Sequence, residues 1–373
     1  MKKITLILTT LIIAAIFVDC KKKKNSEEEE LQDTFDKSGM LTNYANNVII
    51  PNFQTAQSTL DSFTIAFNDF IQVKTVANLT IARQKFIRAY AKYQHVSLFE
   101  FGPSENEIVR ANFNTYPTDS VQITSNINAG TYDLSTVPNL DAKGFPAIDY
   151  LLYGKNGSDA SIIALFDTDA KASNRITYVN NVVSEMQTKL NTIKTTWNSS
   201  YKSTFTSSTS SDIGSSLGLL VNQLNFEIDL LKNGKIAIPL GKKSAGALMP
   251  EKCEGYYAQT ISVNLIKECL ANIEDVYLGR SASGSDGLGI DDYLDALKAQ
   301  YTNGSLNDAI RNQFAIAKAK LNLVPDNLSD AVVNNAAPVE AAYIEIVKLL
   351  VLLKTDTPSA LGIVITYQDG DGD

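Results

Sequence analysis

Residues 144–154 read GFPAIDYLLYG, a stretch whose apolar side chains recur at the spacing of one helix face. Those apolar residues are Phe145, Ile148, Leu151 and Leu152. Pro146 suits the first turn of a helix, where its missing N–H needs no partner, and Gly154 suits the helix end. The stretch therefore predicts a helix, and its lone carboxylate, Asp149, is the first candidate for a functional residue.

The same periodicity dominates the rest of the chain and predicts an all-α fold, since no strand pattern of useful length accompanies it. The longest apolar stripes are Phe53, Leu60, Phe63, Phe67 and Ile71; Ile176, Val179, Val183, Met186, Leu190 and Ile193; Leu217, Leu220, Leu224, Ile228 and Leu231; and Ile310, Phe314, Ala317 and Leu321. The last long segment, which starts at Pro338, becomes apolar nearly all round toward Leu353. We expect it to be the most buried helix.

A serine- and threonine-rich stretch, NSSYKSTFTSSTSSD at residues 198–212, lacks this periodicity and predicts a linker or a long loop. We therefore expect an N-terminal helical bundle over residues 35–200, a linker over 201–212 and a C-terminal bundle over 213–373. The chain is long enough for two such halves, each with its own core.

The N-terminus has the features of an export signal. Lysines precede a long apolar run that ends at Cys20, which is typical of a lipoprotein acylated on that cysteine. Residues 1–20 are therefore predicted to be a lipoprotein signal peptide, with an ordinary secretory signal or an uncleaved anchor as alternatives. Residues 21–34 begin KKKKNSEEEE, are too charged to fold, and predict a solvated tether.

Each of these alternatives places the body of the protein outside the cytoplasm, and we expect a lipid anchor in the bacterial envelope, at the outer membrane. The net charge of −8 argues against a nucleic-acid partner. The single histidine, His95, lies off the apolar stripe of its helix and excludes any site that needs two histidines. Cys253 and Cys269 either pair in the oxidising envelope or remain as two buried thiols.

Short motifs occur in a fixed order along most of the chain: FGP at 101–103, TYP at 115–117, EGYYAQTIS from Glu254, YLG at 277–279, GLGIDDYL from Gly287, and YQDGDGD at the C-terminus. Together with GFPAIDYLLYG they resemble the imelysin-like family of bacterial envelope proteins, whose signature is G-x-H-x-x-E. The resemblance implies an all-α fold whose two bundle-like halves form a site where they meet. It also implies a connection with iron.

The chain departs from the family at the residues that would carry chemistry. Pro146 replaces the signature histidine, Asp149 replaces the signature glutamate, and Asn114 stands where the family commonly has an aspartate. A histidine and a glutamate three residues apart lie on one helix face and can hold a metal together, in line with the family's classification as metallopeptidases. Proline offers no ligand atom, so catalysis is the weakest expectation.

Asp149 has three interpretations. It bonds a helix N-terminal amide or a tyrosine, it belongs to an oxygen-rich pocket with Glu254, Tyr256 or Tyr257, or it acts as an acid or base. Glu254 has two: a carboxylate favoured at the N-terminus of the helix that follows, or a residue at the mouth of that pocket. Pro146 and Asn114 complete the predicted ligand-binding set. Asp149 and Glu254 are the candidate metal ligands.

Three functional hypotheses follow. The first is an envelope lipoprotein that binds a ligand connected with iron or haem between its two halves, without catalysis. Ferric iron suits carboxylate and phenolate oxygens, whereas His95 and four methionines leave little for haem ligation. The others are a divergent metallopeptidase and a surface protein whose helices bind an envelope protein partner.

Overall fold

A computed structural model describes residues 35–302 and 304–367, and helices occupy most of them. The α-helices are α1 (Lys37–Asn43), α2 (Ile50–Gln72), α3 (Val76–Tyr93), α4 (Pro103–Asn106), α5 (Val109–Asn114), α6 (Ser120–Ala129), α7 (Gly144–Tyr153), α8 (Asp159–Asp167), α9 (Ala172–Thr196), α10 (Lys202–Ser207), α11 (Ser216–Leu230), α12 (Ser262–Tyr277), α13 (Ile290–Ala296), α14 (Leu306–Leu321), α15 (Leu328–Asn334), α16 (Ala336–Val351) and α17 (Thr357–Leu361). The strands β1 (Gln300–Tyr301) and β2 (Gly304–Ser305) form one antiparallel hairpin. The all-α prediction is confirmed.

Several α-helices continue into π-helical turns, and two separate 3₁₀ turns lie between helices. The π-helical turns are Tyr44–Ile49, Trp197–Tyr201, Leu231–Ala237 and Leu352–Asp356, and the 3₁₀ turns are Val137–Ala142 and Pro250–Lys252. The turn Leu231–Ala237 extends α11 and carries a buried lysine, Lys235. Wider turns of this kind often mark functional positions in helices.

In the first half of the chain, α2 packs against α3 and α9. Phe53, Phe63 and Phe67 from the predicted stripe are buried in α2, where the rings of Phe63 and Phe67 lie 5.9 Å apart. Removing each such ring from water contributes roughly 2–3 kcal/mol. The side chain of Thr75 accepts the backbone N–H of Asn78 and so caps the start of α3.

In the second half, α14 packs against α16, and α11 packs against α12 and α16. The expectation that the segment from Pro338 is the most buried helix is wrong. One face of α16 is buried, but Ile344 and Val351 on the other face are each 50% exposed. By contrast, ten residues of the shorter helix α11 are buried. The neighbouring helices therefore cover only part of the apolar surface of α16.

The predicted linker at 201–212 contains α10 and is anchored to the core. Phe205 is buried, stacks on Phe101 at 5.8 Å and meets the edge of Trp197. Residues from Phe35 onward cluster as one compact unit. The division into two bundles at this segment stays a prediction.

Within the described residues, no helix is both long and apolar enough to cross a membrane. The predicted signal peptide with Cys20, the tether at 21–34 and the terminal motif DGDGD lie outside the described residues.

Candidate functional site

The motif helix α7 begins at a position that only glycine occupies without strain. Gly144 has a φ of 73°, and a Cβ at this residue would lie 2.3 Å from the carbonyl oxygen of Phe113 in α5. Most of α7 is buried, including Pro146 and Asp149. The first glycine of the motif therefore sets the close approach of α7 to α5.

Asp149 is 1% exposed, and both of its oxygens accept backbone N–H groups from the loop before α12. Its Oδ2 accepts from Tyr257 and its Oδ1 from Ala258, each at 2.9 Å. Burial raises the pKa of the Asp149 carboxyl to about 7, these two N–H groups oppose the rise, and the charge of Glu254 adds to it. The carboxylate thus fastens α7 to the EGYY motif through its main chain.

Glu254 is also 1% exposed, and the idea that it serves the N-terminus of the next helix is wrong, because α12 begins only at Ser262. Its Oε1 accepts from Gln94 Nε2 at 2.8 Å and from Asn114 Nδ2 at 2.7 Å. Its Oε2 accepts from the ammonium of Lys235, forming a buried salt bridge.

Lys235 completes this network by donating to Gln94 Oε1 at 2.9 Å. Burial disfavours the charge of Lys235, but the carboxylate of Glu254 outweighs burial, so the pKa of the lysine is raised above its ordinary value. Gln94 and Asn114 come from the first half of the chain, and Lys235 and Glu254 from the second. The network therefore joins the two halves.

Asn114 is suited to its place in this network. Its Oδ1 accepts from Tyr90 Oη at 2.6 Å while its Nδ2 donates to Glu254. An aspartate here, as the family commonly has, would place a second carboxylate against Glu254. The amide instead supplies a donor without adding charge.

A second ion pair, between the partly buried Arg110 and the buried Glu227, lies nearby. Arg110 Nη2 lies 3.3 Å from Glu227 Oε2 and donates to the backbone oxygen of Ser97 at 3.0 Å. The hydroxyl of Ser97 donates to Glu227 Oε1 at 2.5 Å, and the Cys269 thiol approaches the same oxygen at 3.4 Å. Glu227 is almost fully buried, and these partners satisfy both of its carboxylate oxygens.

Two neighbouring cavities open beside these groups. The central cavity, of about 380 Å³, is lined by Tyr93, Arg110, Asn114, Tyr116, Glu227 and Lys235, among others. The motif cavity, of about 240 Å³, is lined by Pro146, Asp149, Tyr256, Tyr257, Tyr116 and Pro117, among others. Tyr116 and Pro117 border both.

The structure therefore divides the predicted ligand-binding set. Pro146, Asp149, Tyr256 and Tyr257 line the motif cavity, whereas Asn114 lines the central cavity. Glu254 lines neither but bonds residues of the central cavity. In the two described segments, no group of three or more His, Cys, Asp or Glu side chains is placed to hold a metal ion.

Lys235, Arg110 and Glu227 escaped the sequence analysis. The available signal was a pair of lysines, Lys232 and Lys235, within the apolar run at residues 230–240, and it does not tell which of them joins the network. Of the remaining candidates, His95 pairs through Nε2 with Glu268 at 2.6 Å and lines neither cavity. Cys253, which lines the motif cavity, and Cys269, which lies beside Glu227, are free buried thiols.

Comparisons with known proteins agree with this architecture. The family model for imelysin matches residues 49–353. The fold is similar to that of a protein described as an iron-regulated protein A precursor from Parabacteroides distasonis, with a TM-score of 0.71 and 14% identity over 87% of this chain and 95% of that one. It is also similar to an imelysin-like protein from Psychrobacter arcticum, with a TM-score of 0.69 and 19% identity over 89% of this chain and 97% of that one. No curated protein matches the sequence. The chain belongs to the imelysin family.

Proposed function

We propose that this protein is a lipid-anchored envelope protein that binds a ligand connected with iron in its central cavity, without catalysing a reaction. The observation that carries the proposal is the construction of that cavity. Tyr93 and Asn114 from the first half of the chain and Glu227 and Lys235 from the second half line it together. A concave site with convergent polar groups between two halves is the usual setting of a small-ligand site.

The absence of catalysis is supported by the state of the carboxylates. Both oxygens of Asp149 accept main-chain N–H groups, and Glu254 is neutralised by Lys235. Pro146, at the position of the signature histidine, offers no lone pair. A carboxylate held by an ammonium is a poor metal ligand because the cation would have to displace the lysine.

The connection with iron is supported by the similarity to the protein described as iron-regulated. Ferric iron favours oxygen ligands, and the phenols of Tyr93 and Tyr116 line the central cavity. Burial raises the pKa of both phenols, which are therefore protonated before iron binds. Binding of ferric iron to them would release protons, and the affinity for ferric iron would rise as the pH rises. Haem is less suited because His95 pairs with Glu268 outside the cavity lining.

The test is a titration of the full-length protein, purified in detergent, with ferric iron and separately with haem, followed by absorbance. We expect a new visible band with ferric iron that Tyr93→Phe or Tyr116→Phe weakens. Tyr153→Phe, at a partly buried tyrosine outside the cavity lining, serves as the matched control. No absorbance change with either ligand at micromolar concentration would remove the iron-linked proposal. Peptide cleavage that a chelator stops would support a metallopeptidase instead.

A further inference from the structure

The central cavity carries hydrogen-bond donors that have no acceptor in the protein. The hydroxyl of Tyr93, a residue that is 1% exposed, and the Nε of Arg110 are both buried and lack a partner among the described residues. Buried donors of this kind are costly to leave unpaired. A ligand that supplies oxygen acceptors would satisfy both.

One cation in the lining of the central cavity has no carboxylate partner among the described residues. Glu227 offsets Arg110, and Glu254 offsets Lys235. Lys252 also lines the cavity, and it makes no salt bridge with any residue that the structure describes. The residues that line the cavity and their buried partners therefore favour an anion.

Two further carboxylates lie near these cations but do not line the cavity. Glu100 accepts the backbone N–H of Arg110, and Glu251, beside Lys252 in sequence, is exposed and lines the motif cavity instead. Neither occupies the space in which Tyr93 and Lys252 meet a ligand.

The rest of the cavity wall is apolar. Leu230, Ile238 and Pro117 line it together with the backbone at Gly234. A bare inorganic anion would leave these side chains uncovered, whereas a small organic anion can place carbon atoms against them.

We propose that the central cavity binds a small organic carboxylate, whose carboxylate oxygens accept from Arg110 Nε, Tyr93 Oη and Lys252 Nζ. This inference rests on the proposed function and names its ligand class. The same carboxylate chemistry can arrive as a free acid, which accepts from the Tyr93 hydroxyl, or as a ferric chelate, whose iron would bind the Tyr93 phenolate in place of that hydrogen bond, because carboxylate and phenolate oxygens both bind ferric iron. Citrate and ferric citrate represent the two sources.

The experiment is isothermal titration of the full-length protein in detergent with citrate, ferric citrate and the neutral ester triethyl citrate. We expect citrate or ferric citrate to bind and the ester not to bind. Lys252→Gln should weaken binding about tenfold or more, because a hydrogen bond to a charged group is lost. Tyr93→Phe should weaken it several-fold. Raising the salt concentration should weaken it as well.

Lys155→Gln is the matched control, because Lys155 lines the motif cavity and does not line the central cavity. Binding that depends on Lys252 and not on Lys155 supports the inference. Equal binding of the ester, or full affinity in both Lys252→Gln and Tyr93→Phe, overturns it. If ferric iron or haem binds while neither form of citrate does, the inference fails and the proposed function stands. If none of these probes binds, both fail.

Discussion

Replacing Glu254 with glutamine tests the buried network that joins the two halves. The side chain keeps its size, but Lys235 loses the one carboxylate partner that it has among the described residues, in a site where both residues are at most about 5% exposed. Leaving one charge of a buried pair uncompensated costs about 3–5 kcal/mol. The new amide group must also face either the ammonium or the donor amides of Gln94 and Asn114. We expect Glu254→Gln to destabilise the protein by about 4 kcal/mol.

Thermal unfolding followed by circular dichroism measures this loss. For a chain of this length the unfolding entropy converts 1 kcal/mol into roughly 1.5 °C, so Tm should fall by about 5–7 °C. Adding Lys235→Met to Glu254→Gln removes the second charge and should restore about half of the loss. The control is Glu340→Gln, which breaks the exposed bridge to Lys242 and should cost less than about 1 kcal/mol. A loss below about 1 kcal/mol in Glu254→Gln would show that water reaches the pair and would refute the reasoning.

Three further predictions concern the motif glycine, the thiols and the response to pH. Gly144→Ala should destabilise the protein by about 3 kcal/mol or more in denaturant titrations, whereas Gly214→Ala, also at positive φ but in open space, should cost only about 1 kcal/mol. Burial raises the pKa of Cys253 to about 12 and that of Cys269 well above its usual range, so neither should be alkylated at pH 8 before unfolding, as peptide mapping by mass spectrometry would show. Burial raises the pKa of Glu100 to about 7, although the charge of Arg110 opposes the rise. The raised pKa adds to the free energy of unfolding. This contribution is fully present below about pH 4.5 and is lost as the pH rises through 7. Glu100→Gln should therefore lose less stability than the wild type between pH 4.5 and 8; equal losses would contradict this.

The fold could be predicted where an apolar stripe was long and one-sided. The stripes of α2, α11 and α14 became buried faces because each helix packs on neighbours over several turns. The prediction failed for α16, since apolar composition alone does not tell how many sides of a helix are covered. It also missed α10, where one aromatic residue, Phe205, anchors a polar segment to the core.

The candidate site could be predicted only in part, because its partners are far apart in the sequence. Asp149, Asn114 and Glu254 were found through the motifs they occupy. Nothing local to Lys235 indicates that it meets Gln94, which lies 141 residues away, and nothing local to Arg110 indicates Glu227. Pairing over such separations is set by the packing of whole helices, which periodicity does not specify.

The departures from the family signature make physical sense as a set. With an aspartate in place of Asn114, three carboxylates would converge near one another, since Glu254 bonds residue 114 and its charge already raises the pKa of Asp149. Such a cluster needs a cation to offset its charge. Here Asn114 donates instead, Lys235 supplies a fixed positive charge, and main-chain N–H groups hold Asp149. The network is therefore balanced by its own residues, which leaves Lys252 and the free donors of the central cavity available to a ligand.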